Sequence, residues 1–162
     1  YIELLDSTLI ENSGLILWDD LLWTIKDSDS KNELYAFHPK TGRIVKTVQL
    51  SNAINIDWED IAQDEQYIYI AETGNNAGIR KDLQILIIEK SSITKEEVQV
   101  LTVDKIHFNF ADQTDFTDLF RRNSYDCEAL FVWNDSLYVF TKDWANFITK
   151  AYVMPKLSLI HI

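Results

Sequence analysis

The sequence predicts an all-β fold, namely a partial β-propeller of about two and a half to three four-stranded antiparallel blades. The first observation behind this prediction is a motif that occurs three times, beginning at Glu11, Asp57 and Asp126. Each copy has an acidic or polar loop, a short apolar strand, a short polar turn and a second apolar strand. The second observation is an aromatic content of 12%, which suits the pleated surface of a sheet. Repeated β units of this size are typical of propellers.

The three copies of the motif align in pairs. The second copy, residues 57–62 followed by 67–70, matches the third copy, residues 126–131 followed by 137–140. The first copy, residues 11–16 followed by 21–25, lies 46 positions before the second. We therefore expect three similar β units along the chain.

Blade one is predicted over residues 11–50, with strands at 15–18, 21–25, 33–37 and 43–50. The last two strands are joined by a turn in which Pro39 fixes one φ angle and Gly42 supplies a positive one. The final strand alternates polar and apolar residues, which predicts an outer, half-exposed strand.

Blade two is predicted over residues 57–110, with inner strands at 61–62 and 67–71, a third strand at 83–89 and a fourth within 95–110. Residues 83–88 are so apolar that we expect both faces of that strand to be covered. Residues 111–125 are rich in Asp, Thr and Arg and are predicted to form an insertion loop, which explains the longer offset of 69 between the second and third copies.

Blade three is predicted over residues 126–156, with strands at 130–133, 137–141 and 149–154. Because a propeller usually has four to eight blades, we expect this chain, which starts at Tyr1 and not at Met, to be a fragment of a larger propeller. Residues 157–162 resemble the translated end of a transposon used to prepare sequencing libraries. We therefore predict a partial propeller at 1–156 followed by a non-native tail.

The composition is that of an ordinary globular chain, with 46% hydrophobic and 25% charged residues. A net charge of −11 argues against nucleic acid as a partner, because there is no basic surface to neutralise phosphates. The charge suits either cation binding or solubility alone. Cys127 is the only cysteine, which excludes an internal disulfide and a zinc site built on several thiolates. No apolar run reaches the roughly 20 residues that a membrane span requires.

Antiparallel pairing predicts where the polar loops meet. A short hairpin returns the chain to the edge at which it began, so the loops at 11–13, 57–60 and 126–128 are predicted to lie beside 26–28, 72–76 and 141–144, respectively. All of these segments then share one rim of the ring. Converging carboxylates are the ligands that Ca²⁺ prefers, and the predicted metal ligands at this rim are Asp57, Glu59, Asp60, Asp126 and Glu128.

Further residues at the same rim are candidates for binding a ligand: Trp58, Glu72, Asn75, Asn76, Asp143 and Trp144. The two tryptophans could stack on a sugar or an aromatic ligand, although Trp58 also suits a packed core. The asparagines follow Gly74 and suit either a tight turn or a loop that faces a ligand.

The acidic loops have three interpretations that the sequence leaves open. They could brace neighbouring blades by accepting backbone N–H groups, bind a metal or another ligand, or carry out acid–base catalysis. His38 and His107 are interpreted as turn and strand residues, not as ligands. The chain has no Gly-x-Ser-x-Gly elbow and no glycine-rich phosphate loop.

The runs 12–15, 57–62, 74–76 and 126–130 resemble a family of secreted β-propeller proteins that are common in Bacteroidetes-type bacteria, many with a C-terminal type IX secretion sorting domain. Residues 112–116 and 137–144 fit the same pattern, so the resemblance extends over about residues 10–155. It implies a propeller fold and export to the periplasm, the cell surface or the medium. Its members are mostly uncharacterised, so it implies little about activity. Glu72 stands where the family usually has Asp, which implies a changed geometry for a cation site there.

The leading hypothesis is a non-catalytic secreted module that binds a small molecule, a glycan or a protein at an acidic mouth, either with Ca²⁺ as its cofactor or without a cofactor. The alternative is a metal-dependent hydrolase of the phytase-like or lactonase-like propeller type, in which the cation would polarise a phosphoryl or carbonyl oxygen. The third hypothesis is a structural adhesion scaffold without a small-molecule site.

Overall fold

The computed structural model describes residues 5–28 and 30–156, and over these residues it confirms the all-β prediction. The predicted tail at 157–162 lies outside the described residues. Regular structure in the described part consists of two 3-10 turns and the following strands: β1 (Asn12–Trp18), β2 (Leu21–Lys26), β3 (Glu33–Phe37), β4 (Ile44–Leu50), β5 (Trp58–Gln63), β6 (Tyr67–Glu72), β7 (Leu83–Glu89), β8 (Val98–Leu101), β9 (Asp104–Phe108), β10 (Asp126–Trp133), β11 (Ser136–Asp143) and β12 (Ile148–Pro155). Among these residues, no helix has the length and apolar character needed to cross a membrane.

The strands form three sheets, numbered here in chain order. Sheet 1 has the strand order β1-β2-β3-β4-β8, sheet 2 has β5-β6-β7-β9, and sheet 3 has β10-β11-β12. Only β4 and β8 pair in parallel, and the other neighbours are antiparallel. Each sheet therefore starts with consecutive strands joined as a meander, which is the local structure that the repeat predicts.

The hairpin turns follow from side chains that tolerate a positive φ. Trp18 pairs with Leu21, which leaves Asp19 and Asp20 as a two-residue turn with φ values of 52° and 60°. Positive φ at both central residues is the type I′ geometry, whose twist matches that of the flanking strands. Asp accepts this region more readily than most residues because its short polar side chain bonds locally.

The prediction that residues 95–110 supply a fourth strand to sheet 2 is confirmed by β9, but the segment does not form a single strand. The segment divides into β8, which joins the outer edge of sheet 1, and β9, which completes sheet 2. The segment before β8 is held against sheet 1 by the ammonium of Lys46 on β4, which donates to the carbonyl of Thr94 at 2.8 Å. The side-chain amide of Asn52 holds the turn through two 2.9 Å hydrogen bonds with the backbone of Val103. As a result, β4 is an interior strand of sheet 1 and not the outer strand that its alternation predicted.

The core consists of two layers between stacked sheets. One layer fills the space between sheets 1 and 2 and includes Trp23, Leu34, Trp58 and Ile70. The other fills the space between sheets 2 and 3. Sheet 2 lies in the middle, so β7 is buried on both faces from Leu83 to Ile88, as its apolar sequence predicts.

The first strands of the three sheets lie side by side in chain order, with β5 between β1 and β10. The side-chain amide of Gln63 on β5 donates to the carbonyl of Leu17 on β1 at 2.8 Å. On its other side, the Asp60 carboxylate of β5 accepts the N–H of Leu130 on β10 at 2.8 Å. These bonds connect the first strands of the three sheets.

Candidate metal centre

The polar loops of the three sheets meet at one edge, as the pairing predicts. In sheet 2, the N–H of Thr73, just after β6, donates to the carbonyl of Asp57 at 3.2 Å. In sheet 1, the N–H of Asp27 donates to the carbonyl of Glu11 at 3.0 Å. In sheet 3, Asp126 begins β10 opposite the end of β11. Each sheet therefore brings a carboxylate to the same rim.

Glu59 lies at the centre of these carboxylates. Its carboxylate forms one group with Asp27 and Asp57 and a second group with Asp126 and Glu128, and within each group oxygen atoms lie within 4.8 Å of one another. These five residues are called the acidic centre below. Because hard cations are bound by several oxygen ligands, these groups could hold a metal ion.

Burial, and after it the crowding of negative charge, raises the pKa of Glu59. Burial is the largest cause, and the nearby charge of Asp57 is the second. Together with the charges of the other carboxylates, they raise the pKa of Glu59 from 4.5 to about 9. Burial and the charge of Asp27 raise the pKa of Asp57 to about 6. The pKa of Glu128 is also raised, chiefly by burial. Without a cation, Glu59 therefore holds a proton at neutral pH, and a bound cation would replace that proton.

Because Gly74 has no side chain, there is room beside it for two carboxyl groups of the acidic centre. A Cβ atom at this position would overlap the carboxyl groups of Asp57 and Glu59. The Gly74 N–H also donates to the Asp57 carbonyl at 3.1 Å, so the backbone itself lies against the centre. Only glycine permits this close approach of the main chain to the two side chains.

Asp126 is fully buried and is held at both carboxylate oxygens. Its Oδ1 accepts the N–H of Asn75 at 2.7 Å, and its Oδ2 accepts the indole N–H of Trp144 at 2.7 Å. Lys142 lies with its Nζ 3.9 Å from the centre of the Trp144 ring and 3.2 Å from the Glu128 carboxylate. Trp144, predicted to contact a ligand, thus positions a carboxylate, and Lys142 offsets part of the charge on the exposed side.

Asp60, the remaining predicted metal ligand, lies outside both groups of the acidic centre. Its Oδ1 accepts the N–H of Ile61 and its Oδ2 accepts the N–H of Leu130, each at 2.8 Å. The second bond joins sheet 2 to sheet 3. Asp60 therefore has the bracing role that the sequence left open for the acidic loops.

The Glu72 carboxylate forms an ion pair and hydrogen bonds inside the protein. It is fully buried, and its Oε1 lies 2.6 Å from the Nη2 of Arg80. Its Oε2 accepts the N–H groups of Ile56 and Asp57 at 3.0 and 3.3 Å. These bonds shape the loop that carries Asp57, so Glu72 supports the acidic centre and does not face a ligand.

Two further predicted ligand-binding residues are also occupied by internal contacts. Trp58 is fully buried in the layer between sheets 1 and 2, and its indole N–H donates to the carbonyl of Ile54 at 3.3 Å. Asp143 accepts the N–H groups of Ala145 and Asn146 at 2.9 Å. Hydrogen bonds, that from the Asn146 side chain first, lower the Asp143 pKa to about 2. Asp143 therefore stabilises the turn between β11 and β12.

The two asparagines lie beside the acidic centre. Asn75 is buried, and its side-chain oxygen accepts the N–H of Arg80 at 3.0 Å. Asn76 is half-buried and, with Asp57 and Phe120, lines a cavity of about 240 Å³. Of the predicted ligand-binding residues, Asn75 and Asn76 are those that border open space next to the carboxylates.

Sequence reasoning missed Asp27 as a member of the acidic centre. The available signal was its position directly after β2, in the segment that hairpin pairing places on the rim. The motif alignment did not indicate it, because the residue that corresponds to Asp27 in the second copy is Thr73. Asp27 thus belongs to the acidic centre although the repeat does not conserve its charge.

No model of a known protein family matches this chain, and no curated protein is found to be similar to it.

Proposed function

We propose that this chain forms part of a β-propeller whose acidic centre binds Ca²⁺, and that the bound cation holds a ligand or partner at the rim. The observation that carries the proposal is the convergence of carboxylates from three successive sheets, centred on Glu59. The proposed role is binding, with no catalytic step.

The stacking of the sheets supports the propeller part of the proposal. Three meanders follow one another in the chain, each sheet packs face to face on the next, and their first strands lie side by side. In a propeller, the innermost strands surround a central channel in this order. The acidic centre then lies at the mouth of that channel.

The ligand set supports a cation of the calcium type. Ca²⁺ takes six to eight oxygen ligands in a flexible geometry, whereas Mg²⁺ demands a near-ideal octahedron. The acidic centre offers carboxylates on side chains of two lengths, spread over two groups that share Glu59. Cys127 does not suit zinc, because burial raises the pKa of its thiol to about 12 and zinc binds the thiolate.

The cavity next to the centre suggests where a ligand would lie. It is bordered by the carboxylate-bearing Asp57, by Asn76 and by the exposed ring of Phe120. A ligand with oxygen atoms could complete the coordination of the cation while its apolar part contacts the ring. We therefore expect the ligand to be anionic or rich in hydroxyl groups.

Calcium titration of the chain after treatment with a chelator tests the proposal. A cation that binds only the folded state raises the free energy of unfolding by about 2.7 kcal/mol at a hundredfold excess over its dissociation constant. Thermal melting should therefore show a melting temperature that rises with calcium concentration, and calorimetric titration should give saturable binding.

The matched variants are Asp57→Asn in the acidic centre and Asp104→Asn at an exposed position on β9. Both remove one negative charge, but only Asp57→Asn should weaken the response to calcium. An unchanged melting temperature at about 5 mM calcium, or an equal response of the two variants, would remove the cation from the proposal. Magnesium at the same concentration controls for general screening of the net charge.

A further inference from the structure

The loop between β9 and β10 forms one wall of the cavity beside the acidic centre. The N–H of Leu119 in this loop donates to the carbonyl of Ala77 at 2.9 Å. Two residues later, the N–H of Arg121 donates to the carbonyl of Asn76 at 2.8 Å. These bonds fix the backbone on both sides of Phe120, which lines the cavity and is 62% exposed. The cavity therefore lies between two loops that are bonded to each other.

Arg121 is an exposed cation at this wall. Its guanidinium carbon lies 5.3 Å from the centre of the Phe120 ring and 5.2 Å from the centre of the Trp144 ring. The attraction between a cation and an aromatic face holds the side chain in this position. The chain has 26 acidic residues, but none of those within residues 5–28 and 30–156 forms an ion pair with Arg121. The guanidinium is therefore positioned to bind an anion from outside the described chain.

A buried hydrogen-bond donor lies at the same cavity. Asn75 is 2% exposed and lines the cavity together with Phe120. Its side-chain oxygen accepts the N–H of Arg80 at 3.0 Å, whereas its side-chain nitrogen has no acceptor in the part of the chain that the structure describes. Buried polar groups are nearly always hydrogen-bonded. An oxygen atom of a ligand would satisfy this nitrogen, so Asn75 and Arg121 both favour a ligand that accepts hydrogen bonds.

The charges at the cavity favour a ligand with a single negative charge. Arg121 provides one positive charge, and its fork of N–H donors matches the two oxygens of a carboxylate. Arg80 also lines the cavity, but its charge is paired with the buried Glu72 carboxylate. Asp57 lines the cavity as well, with other carboxylates of the acidic centre next to it. A phosphate dianion would bring a second negative charge towards these carboxylates, so we expect a carboxylate.

The size and the apolar lining of the cavity favour a single ring. Its volume of about 240 Å³ is smaller than the roughly 300 to 1,000 Å³ of sites for drug-sized ligands. Ile79, which is 47% exposed, and Phe120 add apolar side chains to its lining. A sugar ring presents an apolar face to such side chains and hydroxyl groups to a calcium ion, which takes six to eight oxygen ligands. A sugar that also carries a carboxylate therefore matches the apolar lining, the donors and the cation.

We propose that this cavity binds a sugar acid. The carboxylate of the sugar acid binds the guanidinium of Arg121, an oxygen atom of the ligand accepts from the side-chain nitrogen of Asn75, and hydroxyl groups complete the coordination of the cation at Asp57. This inference names the ligand of the acidic centre and rests on the proposed function. It makes Arg121 the residue that selects charged sugars over neutral ones.

Calorimetric titration of the calcium-saturated chain with sodium glucuronate tests the inference. Glucose lacks the carboxylate and sodium acetate lacks the hydroxyl groups, so we expect glucuronate to bind more tightly than either. Arg121→Gln should weaken glucuronate binding by about tenfold or more, because it removes a charge-assisted pair, and should abolish the preference for glucuronate over glucose. Arg122→Gln is the matched control, since it makes the same change at the next exposed residue, outside the cavity lining, and should bind glucuronate as the wild type does.

Four results would overturn the proposal: equal binding of glucose and glucuronate, equal losses in Arg121→Gln and Arg122→Gln, tighter binding of glucose 6-phosphate than of glucuronate, or no binding of glucuronate at all. Calcium titration of the wild type without any sugar separates this failure from that of the proposed function. A calcium response without glucuronate binding contradicts only the sugar acid, whereas a missing calcium response contradicts the cation site. Circular dichroism checks the fold of Arg121→Gln, and Arg121→Lys, which keeps the charge but not the fork of donors, replaces it if it does not fold.

Discussion

Replacing Glu59 by glutamine separates the charge of this residue from its shape. In the absence of a cation, the folded protein keeps Glu59 protonated up to a pKa of about 9, whereas the unfolded chain loses that proton near 4.5. The folded state therefore binds more protons between these two values, and the stability that this residue contributes falls as the pH rises through that window. Glutamine has no proton to lose, so its contribution stays constant.

The size of the effect follows from the linkage of protonation to unfolding. One proton changes the free energy of unfolding by about 1.4 kcal/mol per pH unit, so the wild type should lose at most about 3 kcal/mol between pH 5 and pH 7. Glu59 is only partly buried, and solvent screening reduces this loss to about 1 to 2 kcal/mol. We expect the variant and the wild type to be about equally stable at pH 5, and the metal-free variant to be more stable at pH 7 by that amount.

Urea unfolding followed by tryptophan fluorescence, in a chelator at pH 5, 6, 7 and 8, measures the difference. Glu65→Gln is the matched control, because it makes the same change at an exposed turn between β5 and β6. A Glu59→Gln difference that is independent of pH, or a metal-free variant that is less stable than the wild type at pH 7, would contradict the raised pKa of Glu59. Added calcium should reverse the order, since it stabilises only the wild type.

Three further predictions concern the same rim. Because a cation displaces the proton of Glu59, calcium binding at pH 7 should release about one proton to the buffer. The calorimetric enthalpy should therefore change with the ionisation enthalpy of the buffer, and heats that do not depend on the buffer would contradict this. Gly74→Ala should abolish the calcium-dependent rise in melting temperature, because the new methyl group overlaps Asp57, and a retained rise would show that the two carboxylates are not ligands. Asp60→Ala should lower the free energy of unfolding by about 1 to 3 kcal/mol, since the N–H of Leu130 loses its acceptor. The calcium response of this last variant should remain, and its loss would mean that Asp60 is a ligand.

The local structure of this protein follows from short-range patterns in the chain. Alternating apolar residues and the Asp19–Asp20 turn specify hairpins whose strands pair within a few residues of each other. Hairpin pairing also predicts that Asp57 and Asp126 approach one rim, because it depends only on the direction in which neighbouring strands run. Four of the five predicted metal ligands accordingly belong to the acidic centre.

Contacts between distant segments were not predictable in this way. Periodicity indicates that residues 98–101 form a strand, but the sheet edge that this strand joins depends on Lys46 and Asn52, about 50 residues earlier in the chain. Likewise, two neighbouring carboxylates in one loop have different roles. Glu59 faces the other carboxylates, whereas Asp60 bonds to Leu130 of the next sheet.

Residues close together in the chain specify the class of the fold, the hairpin units and the edge at which the charged loops collect. Which carboxylates face one another, and which accept backbone N–H groups, depends on the packing of the sheets. The pKa and the hydrogen-bond partner of a carboxyl group follow from burial and from charges brought by other sheets. Those neighbours exist only once the sheets have stacked.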